Sequence, residues 1–298
     1  MSLLRAAALL LVGTLCGACD QGAEPRSDSC SSAVATRIVT LAPHLAELVH
    51  VAGAGDQHVG VSAFSNYPEP VTRLPLVGDA FMIDQERLAL LEPDLLLAWE
   101  SGTPAHAVDE LRARGYCVEV IPTRGLADVG RALERIGALT GHESVAQAAA
   151  RHFSDGLAAL RARHVDDEPV SVFYQISVQP LYTVNANHYV SELIELCGGQ
   201  NIFGDLDELA PLVGEESVLA RNPEVLLAGS AEMDGASFEV WSRWPGLAAN
   251  ALGNQFEIPA DLLARATPRL LAAGDAICAA LATARERRAS ARASEAPR

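Results

Sequence analysis

The clearest pattern in the chain is a stripe of apolar residues at helical spacing over residues 143–164. Its members follow one another at intervals of four or three, as Val145, Ala149, Phe153, Leu157 and Leu160. That spacing predicts a helix with one apolar face. Its start is ambiguous, because Thr140 and Glu143 have the spacing of a capping box whereas Gly141 could equally end a preceding helix.

Sections of similar length flank this helix, and in each of them apolar runs alternate with amphipathic segments. The apolar runs predict strands at residues 37–41, 58–62, 94–99, 116–121, 170–176 and 224–228. The amphipathic segments predict helices at residues 45–52, 84–91, 104–114, 126–139, 188–197, 215–221 and 268–287. Residues 95–99 are all apolar, which is typical of a strand buried on both faces of a parallel sheet. Each section is therefore predicted to be an α/β lobe.

One segment of the first section is similar to one of the second. Residues 85–98 and 216–228 each contain a helix, a proline one or two residues past its end, and a buried strand that ends in alanine. This repeat predicts two lobes of related build, joined by a rigid helix and facing each other across a cleft. Ligands of open parallel sheets bind beyond the carboxyl ends of the strands. The loops expected to face the opposite lobe are residues 42–44, 64–68, 79–82 and 99–104.

The N-terminus has the pattern of an export signal. Arg5 precedes an apolar run that is too short to span a bilayer. Cys19 stands where a lipobox places its lipidated cysteine, although Cys16 occupies the position where leucine is usual. Residues 1–19 are therefore predicted to be the signal peptide of a lipoprotein, with plain secretion or a cytosolic apolar helix as alternatives. Residues 20–35 are predicted to be a flexible tether.

Export places the remaining cysteines in an oxidising compartment, where two of them can pair. Cys197 and Cys278 both lie in the second section and are the best candidates for a disulfide. Cys117 is interpreted as a small buried apolar residue within a strand. The state of Cys30 stays open.

Composition and missing motifs narrow the function. The 298 residues carry a net charge of −16, and all 22 basic residues are arginine, which argues against nucleic-acid binding. The chain has no GxSxG, no GxGxxG after its first strand and no lysine for a P-loop, so no catalytic residue is predicted. No histidine-rich loop occurs, and no metal site is predicted.

An ordered set of motifs resembles one known family. RIVTLAPHLAEL, VGVSAFSNYP, LEPDLLLAW, ELCGGQNIF and ARATPRL occur in this order over about residues 36–285. They are similar to those of the periplasmic cobalamin-binding proteins of ABC importers, within the helical-backbone class of metal-chelate solute-binding proteins. The resemblance implies two Rossmann-like α/β lobes, joined by one long rigid α-helix, with the ligand cleft between them. The corresponding units are residues 36–141, a linking helix at 142–165, residues 166–288 and a disordered tail at 289–298.

The resemblance also implies a function that involves no catalysis. Such a receptor, working as a monomer in the periplasm or on the outer face of the inner membrane, captures cobalamin or a related corrinoid. It then delivers this ligand to the transmembrane permease, and it needs no cofactor of its own. The alternative within the class is a receptor for haem or a ferric siderophore, and a further alternative outside the class is an exported enzyme.

Individual residues match the family's functional positions. The positions for ligand contact are Tyr67, Trp99, Tyr182, Asp261 and Arg265, with Arg269 in the same segment. Phe81 stands near a family tryptophan, and Ala210-Pro211 replaces another, so two stacking surfaces are smaller here. Glu86 and Glu216 match acidic residues that face the permease, one on each lobe. Cys197 and Cys278 match a family disulfide.

Two histidines complete the set of candidate ligand contacts. His44 is predicted to lie in the turn after the first strand, facing the cleft, and His188 lies in the corresponding region of the second lobe. A pair of imidazoles across a cleft could ligate the iron of haem or the cobalt of a corrinoid. The alternative interpretation is that each is an ordinary surface histidine.

Overall fold

The structure, a computed structural model, describes residues 34–79, 82–230 and 238–295. These residues form two lobes, each built on a four-stranded, all-parallel sheet, and the predicted α/β class is confirmed. Within these ranges no helix has the length and apolar character that a membrane crossing requires. The predicted signal peptide with Cys19, nearly all of the tether with Cys30, and Phe81 lie outside the described residues.

The first lobe has the strand order β2-β1-β3-β4. Its elements are β1 (Ile38–Thr40), α1 (Pro43–Val51), β2 (His58–Val61), α2 (Gln85–Leu91), β3 (Leu95–Trp99), α3 (Ala105–Ala113), β4 (Val118–Ile121) and α4 (Leu126–Thr140). Alternate side chains of β3 enter different cores: Leu95 and Leu97 pack with α1 and α4, whereas Leu96 and Ala98 pack with α2 and α3. Burial on both faces explains why this strand is apolar throughout.

A single helix, α5 (Glu143–His164), leads from the first lobe to the second and has the predicted bounds. Its buried side chains are Ala146, Ala150, Phe153 and Leu160. The predicted stripe is therefore right at Phe153 and Leu160 but displaced by one position in the first half, where Val145 is 48% exposed. Phe153 and Leu160 belong to one hydrophobic core with side chains of α1 and α4 and of the second lobe, so the two lobes share a core across this helix.

The start of α5 resolves the ambiguity between a capping box and a helix end. Gly141 adopts a φ of 75° and ends α4, a left-handed conformation that glycine tolerates best. The Thr140 hydroxyl donates to the Ile136 carbonyl at 2.8 Å and so serves α4, not α5. The capping-box interpretation is wrong because Thr140 is the last residue of the preceding helix.

The second lobe repeats the strand order of the first, as β6-β5-β7-β8. Its elements are β5 (Val170–Gln175), α6 (Tyr189–Leu196), β6 (Gly199–Asn201), α7 (Glu215–Arg221), β7 (Val225–Ser230), α8 (Ala248–Ala251), β8 (Gln255–Pro259), α9 (Ala260–Leu263) and α10 (Leu270–Glu295). In both lobes the order reverses beside the first strand, so the carboxyl ends of β1 and β3, and of β5 and β7, frame a crevice.

The last helix is longer than predicted. It continues to Glu295, so the prediction of a disordered tail from residue 289 is wrong for residues 289–295. Alanine and arginine dominate residues 279–293, and both are strong helix formers, which accounts for the extension.

The repeat noticed in the sequence corresponds to two equivalent helices. Helices α2 and α7 have seven residues each and bury a single large apolar side chain, Leu88 in α2 and Val218 in α7. Each helix is followed by a residue other than glycine in the left-handed conformation, Glu92 with a φ of 43° and Asn222 with a φ of 44°. A buried strand follows in both lobes.

The predicted disulfide is present in the second lobe. Cys197, directly after α6, is bonded to Cys278 of α10. Cys117 is also disulfide-bonded, is only partly buried and lies just before β4, so its interpretation as a small buried apolar residue within a strand is wrong.

Candidate ligand cleft between the lobes

Trp99 ends β3 and is half-buried at the carboxyl edge of the first sheet. Its ring lies directly on Gly102, where an added Cβ atom would be 1.9 Å from the ring carbon Cε3. The Trp99 backbone N–H donates to the Thr103 hydroxyl at 3.0 Å, which fixes the turn that brings Gly102 under the ring. The indole N–H is buried and has no hydrogen-bond partner in the described part of the chain. Gly102 therefore determines where the indole lies.

His44 is not in the turn where the sequence places it. It lies in the first turn of α1 and is buried, with its ring edge-to-face with Trp99 at 5.1 Å. Its Nε2 atom is 3.4 Å from the Thr123 hydroxyl. Burial, and secondly the positive charge of Arg265, lower the pKa of His44 from 6.5 to about 3. The imidazole is neutral and packs against the Trp99 ring, so the prediction that His44 lies in a turn is wrong, and its contact with a ligand stays a prediction.

Tyr67 lies in the loop after β2 and is 46% exposed. The guanidinium of Arg269, which belongs to the second lobe, stands 4.4 Å above the centroid of its ring. A cation over an aromatic face is attracted by the ring quadrupole. This contact therefore holds the Tyr67 loop against the opposite lobe.

Glu47 of α1, which the sequence analysis missed, joins the same two lobes. It is 1% exposed, and its carboxylate pairs with Arg265 at 2.8 Å and with Arg269 at 3.2 Å. A buried carboxylate is stable only with such partners. The available signal in the sequence was one carboxylate in a predicted helix, residues 45–52, whose other residues are apolar except for His50.

Arg265 is occupied by contacts within the protein. Besides Glu47, it pairs with Asp261 at 3.2 Å and donates to the Phe64 carbonyl of the first lobe at 3.1 Å. Arg265 is buried, whereas the Asp261 side chain is 52% exposed. Of these two predicted ligand contacts, Asp261 is therefore the accessible one.

The second lobe exposes apolar side chains directly beyond the carboxyl end of β5. They are Ile176, Val178, Tyr182 and Leu212. Tyr182 is held by bridges of its backbone to Ser177 on one side and Leu212 on the other. Phe64 and Tyr67 are exposed in the corresponding region of the first lobe. Each lobe therefore carries an apolar, partly aromatic surface at the sheet edge where ligands of this fold class bind.

His188 has a structural role at the start of α6. Its Nδ1 atom accepts a hydrogen bond from the Val190 backbone N–H at 3.2 Å, and its ring stacks on Tyr189 at 4.2 Å. Burial lowers its pKa to about 4. Among the residues described, no group of three or more His, Cys, Asp or Glu side chains could hold a metal ion.

A second set of contacts joins the lobes near His188. The Tyr189 N–H donates to the Arg124 carbonyl at 2.7 Å, and the Leu126 N–H at the start of α4 donates to the Glu192 carboxylate at 2.9 Å. A carboxylate at a helix N-terminus is stabilised by the unsatisfied N–H groups there. The second lobe thus caps a helix of the first.

Glu86 and Glu216 occupy the same position in the two equivalent helices. Each is the second residue of its helix, α2 or α7, and each is exposed. Their acidic neighbours are occupied: Asp84 accepts from the Arg87 backbone N–H, and Glu215 pairs with Arg243 at 2.6 Å. Glu86 and Glu216 make no ion pair with any described residue. Each of the two equivalent helices therefore leaves one carboxylate of its first turn unpaired and facing solvent.

Two parallel-sheet lobes, a linking helix and apolar surfaces at the facing sheet edges define a two-lobed solute-binding protein. The chain belongs to the periplasmic binding protein family, whose model matches residues 38–251. It is 34% identical over 253 residues to a vitamin B12-binding protein of Vibrio cholerae, covering 85% of this chain and 91% of that one. A vitamin B12-binding protein of Yersinia pestis is 32% identical over 281 residues, covering 94% and 93% of the two chains.

Comparison with solved structures supports the assignment of the chain to this family. The periplasmic vitamin B12 binding protein BtuF of Vibrio cholerae superposes with a TM-score of 0.76 at 34% identity, covering 84% of this chain and 98% of that one. The periplasmic haem-binding protein HutB of the same organism gives a TM-score of 0.72 at 22% identity, over 83% and 98% of the two chains. The second likeness shows that the fold is shared and nothing more.

Proposed function

We propose that this protein is the extracytoplasmic receptor of an ABC importer and that it captures cobalamin or a related corrinoid between its lobes. The observation that carries the proposal is the aromatic surface at both sheet edges, with Tyr67 and Trp99 on one lobe and Tyr182 on the other. A corrinoid is a wide, flat macrocycle, and aromatic planes supply much of the non-polar contact with such a ligand. Relatives named as vitamin B12-binding proteins support the same ligand.

The polar contacts are assigned by accessibility. Asp261 accepts hydrogen bonds from ligand amides, since its side chain is half exposed. Arg265 pairs with Asp261 at 3.2 Å and donates to the ligand through the N–H groups that have no partner among the described residues. Phe81, just before α2, supplies part of the stacking surface. His44 contributes by supporting Trp99.

The two histidines are poorly placed to act as axial ligands of haem iron. Haem iron in proteins needs an axial side chain such as histidine. His44 is buried behind Trp99, and the Nδ1 atom of His188 accepts a backbone hydrogen bond at the start of α6. Neither imidazole is free to turn towards a ligand without breaking these contacts.

Delivery of the ligand uses the two unpaired carboxylates. Glu86 and Glu216 on the matched helices α2 and α7 contact basic residues of the permease, one from each lobe. Exposed ion pairs add little affinity, so they act mainly on the rate and orientation of docking. The receptor is exported, is anchored through a lipid on Cys19, works as a monomer in the periplasm and releases its ligand unchanged.

The test is a titration of the purified mature protein with cyanocobalamin, haemin and a ferric siderophore, followed by calorimetry and tryptophan quenching. One-to-one binding of cyanocobalamin alone supports the proposal. Binding of haemin or of the siderophore without cyanocobalamin would overturn the ligand and leave the receptor class standing. Absorption spectra of the released ligand check that it leaves unchanged.

A further inference from the structure

Phe64 is an exposed aromatic residue with an unfavourable backbone conformation. It lies three residues before Tyr67 in the loop after β2 and is 83% exposed, among the most exposed large apolar side chains described. Its φ is 65°, the left-handed region that residues other than glycine rarely adopt. Backbone strain of this kind persists only where surrounding contacts enforce it.

The contact that enforces this conformation comes from the opposite lobe. Arg265 donates to the Phe64 carbonyl at 3.1 Å, and Arg265 is itself buried and paired with Glu47 at 2.8 Å. Arg269, four residues further on, stacks on Tyr67 in the same loop. The position of the loop is thus set by two buried or half-buried arginines of the second lobe.

We infer that Phe64 is a further ligand-contact residue, which lays its ring on the flat face or apolar edge of the corrinoid beside Tyr67. This inference rests on the proposed function. A phenyl ring has a large apolar area. Covering that area with a ligand removes it from water, and this burial contributes favourably to the free energy of binding. Phe64 thereby supplies aromatic area in a chain where Ala210-Pro211 stands in place of a tryptophan of the resembled family.

The experiment compares Phe64→Gly, Phe64→Tyr and the unsubstituted protein by calorimetric titration with cyanocobalamin and by thermal melting. Phe64→Gly removes the ring but suits a φ of 65°, so its melting temperature stays equal or rises while its affinity falls by about fivefold or more. Phe64→Tyr keeps the ring and is expected to bind like the unsubstituted protein.

Leu90→Ala serves as the matched control, because Leu90 is also 83% exposed but lies on α2 and away from the loop. Its affinity for cyanocobalamin is expected to be unchanged. Equal affinity of Phe64→Gly and the unsubstituted protein overturns the inference alone and leaves the proposed function intact. Failure of the unsubstituted protein to bind cyanocobalamin overturns both.

Discussion

At the scale of single residues, the geometry of the cleft depends on residues that pack against the aromatic residues of the cleft or against the arginines that hold them. Gly102 leaves room for the indole of Trp99, His44 packs against its edge, and Glu47 fixes the arginines that hold the Tyr67 loop. The sequence alone indicated the aromatic residues through a family resemblance. For Glu47 it carried only the weak signal of a carboxylate among apolar neighbours, because its partner Arg265 is 218 positions away and only tertiary packing brings the two together.

Replacement of Trp99 by alanine is expected to weaken cyanocobalamin binding by more than about tenfold, the scale of a buried aromatic anchor. Calorimetric titration measures the loss. Trp99→Phe retains a flat face and should recover most of the affinity. Unchanged affinity of Trp99→Ala would mean that the ligand does not lie on this edge of the sheet.

Three buried histidines are expected to make stability depend on pH. Burial lowers the pKa of His44 and His58 from 6.5 to about 3 and that of His188 to about 4. The folded protein therefore binds fewer protons than the unfolded chain between these values. The stabilisation is complete above pH 6.5 and is lost as pH falls from 6.5 towards 3.

The measurement is the free energy of unfolding in denaturant between pH 7.5 and 5, a range above the usual pKa of carboxylates. His58→Gln, which can keep the hydrogen bond that His58 makes to the Thr40 hydroxyl, removes one titrating group. Its unfolding free energy should change less steeply with pH than that of the unsubstituted protein. Identical slopes would show that His58 is not neutral in the folded state.

At the scale of elements, helices and strands were predicted correctly where the hydrophobic pattern was local and extended over many residues. Helix α5 was predicted with its correct bounds because 22 residues give many turns of periodicity. Strands β6 and β8 were not predicted, since Gly199–Asn201 is short and polar and Gln255–Pro259 contains two polar residues and a proline. Both are strands because β5 and β7 offer them a parallel partner, which is a tertiary effect.

Helices α2 and α7 are the elements for which we predict an effect on ligand uptake by cells. Joint replacement Glu86→Ala with Glu216→Ala should leave cyanocobalamin affinity intact and reduce uptake by cells, because both carboxylates are exposed and are proposed to contact the permease and not the ligand. Glu215→Ala is the control, since Glu215 is already paired with Arg243. Radiolabelled cobalamin uptake at equal receptor levels measures the effect. Normal uptake by the double variant would remove the docking role.

At the scale of the whole molecule, several sets of contacts in the described part of the chain hold the lobes together. Helix α5 and its shared core form one; the ion pairs of Glu47 with Arg265 and Arg269 form another. The third is the capping of α4 by Glu192. A continuous helix cannot absorb the dihedral changes of a loop hinge, so lobe movements stay small. The overall two-lobed plan was predictable from the repeat, whereas the lobe-to-lobe contacts were not.

Removal of the Glu47 charge tests these connections. Glu47→Gln removes the buried counter-charge of Arg265, leaves it, among the described residues, only the half-exposed Asp261 at 3.2 Å, and should lower the free energy of unfolding by about 3–5 kcal/mol. Glu69→Gln is the control, since its pair with Arg73 is exposed on both sides and should contribute nothing measurable. The free energy of unfolding of both variants is measured in denaturant. Equal values for Glu47→Gln and Glu69→Gln would contradict a structural role for Glu47.

The equivalence of α2 and α7 has a consequence for the encounter with the permease. The receptor presents the same signal twice, once on each lobe, with similar helix lengths and the same free carboxylate. A partner with two equivalent basic sites would accept the receptor in either of two opposed orientations. Encounters between receptor and permease in these two orientations would then be equally productive. If Glu86 and Glu216 dock as proposed, duplication of a lobe would make capture by the membrane partner faster without any gain in binding strength.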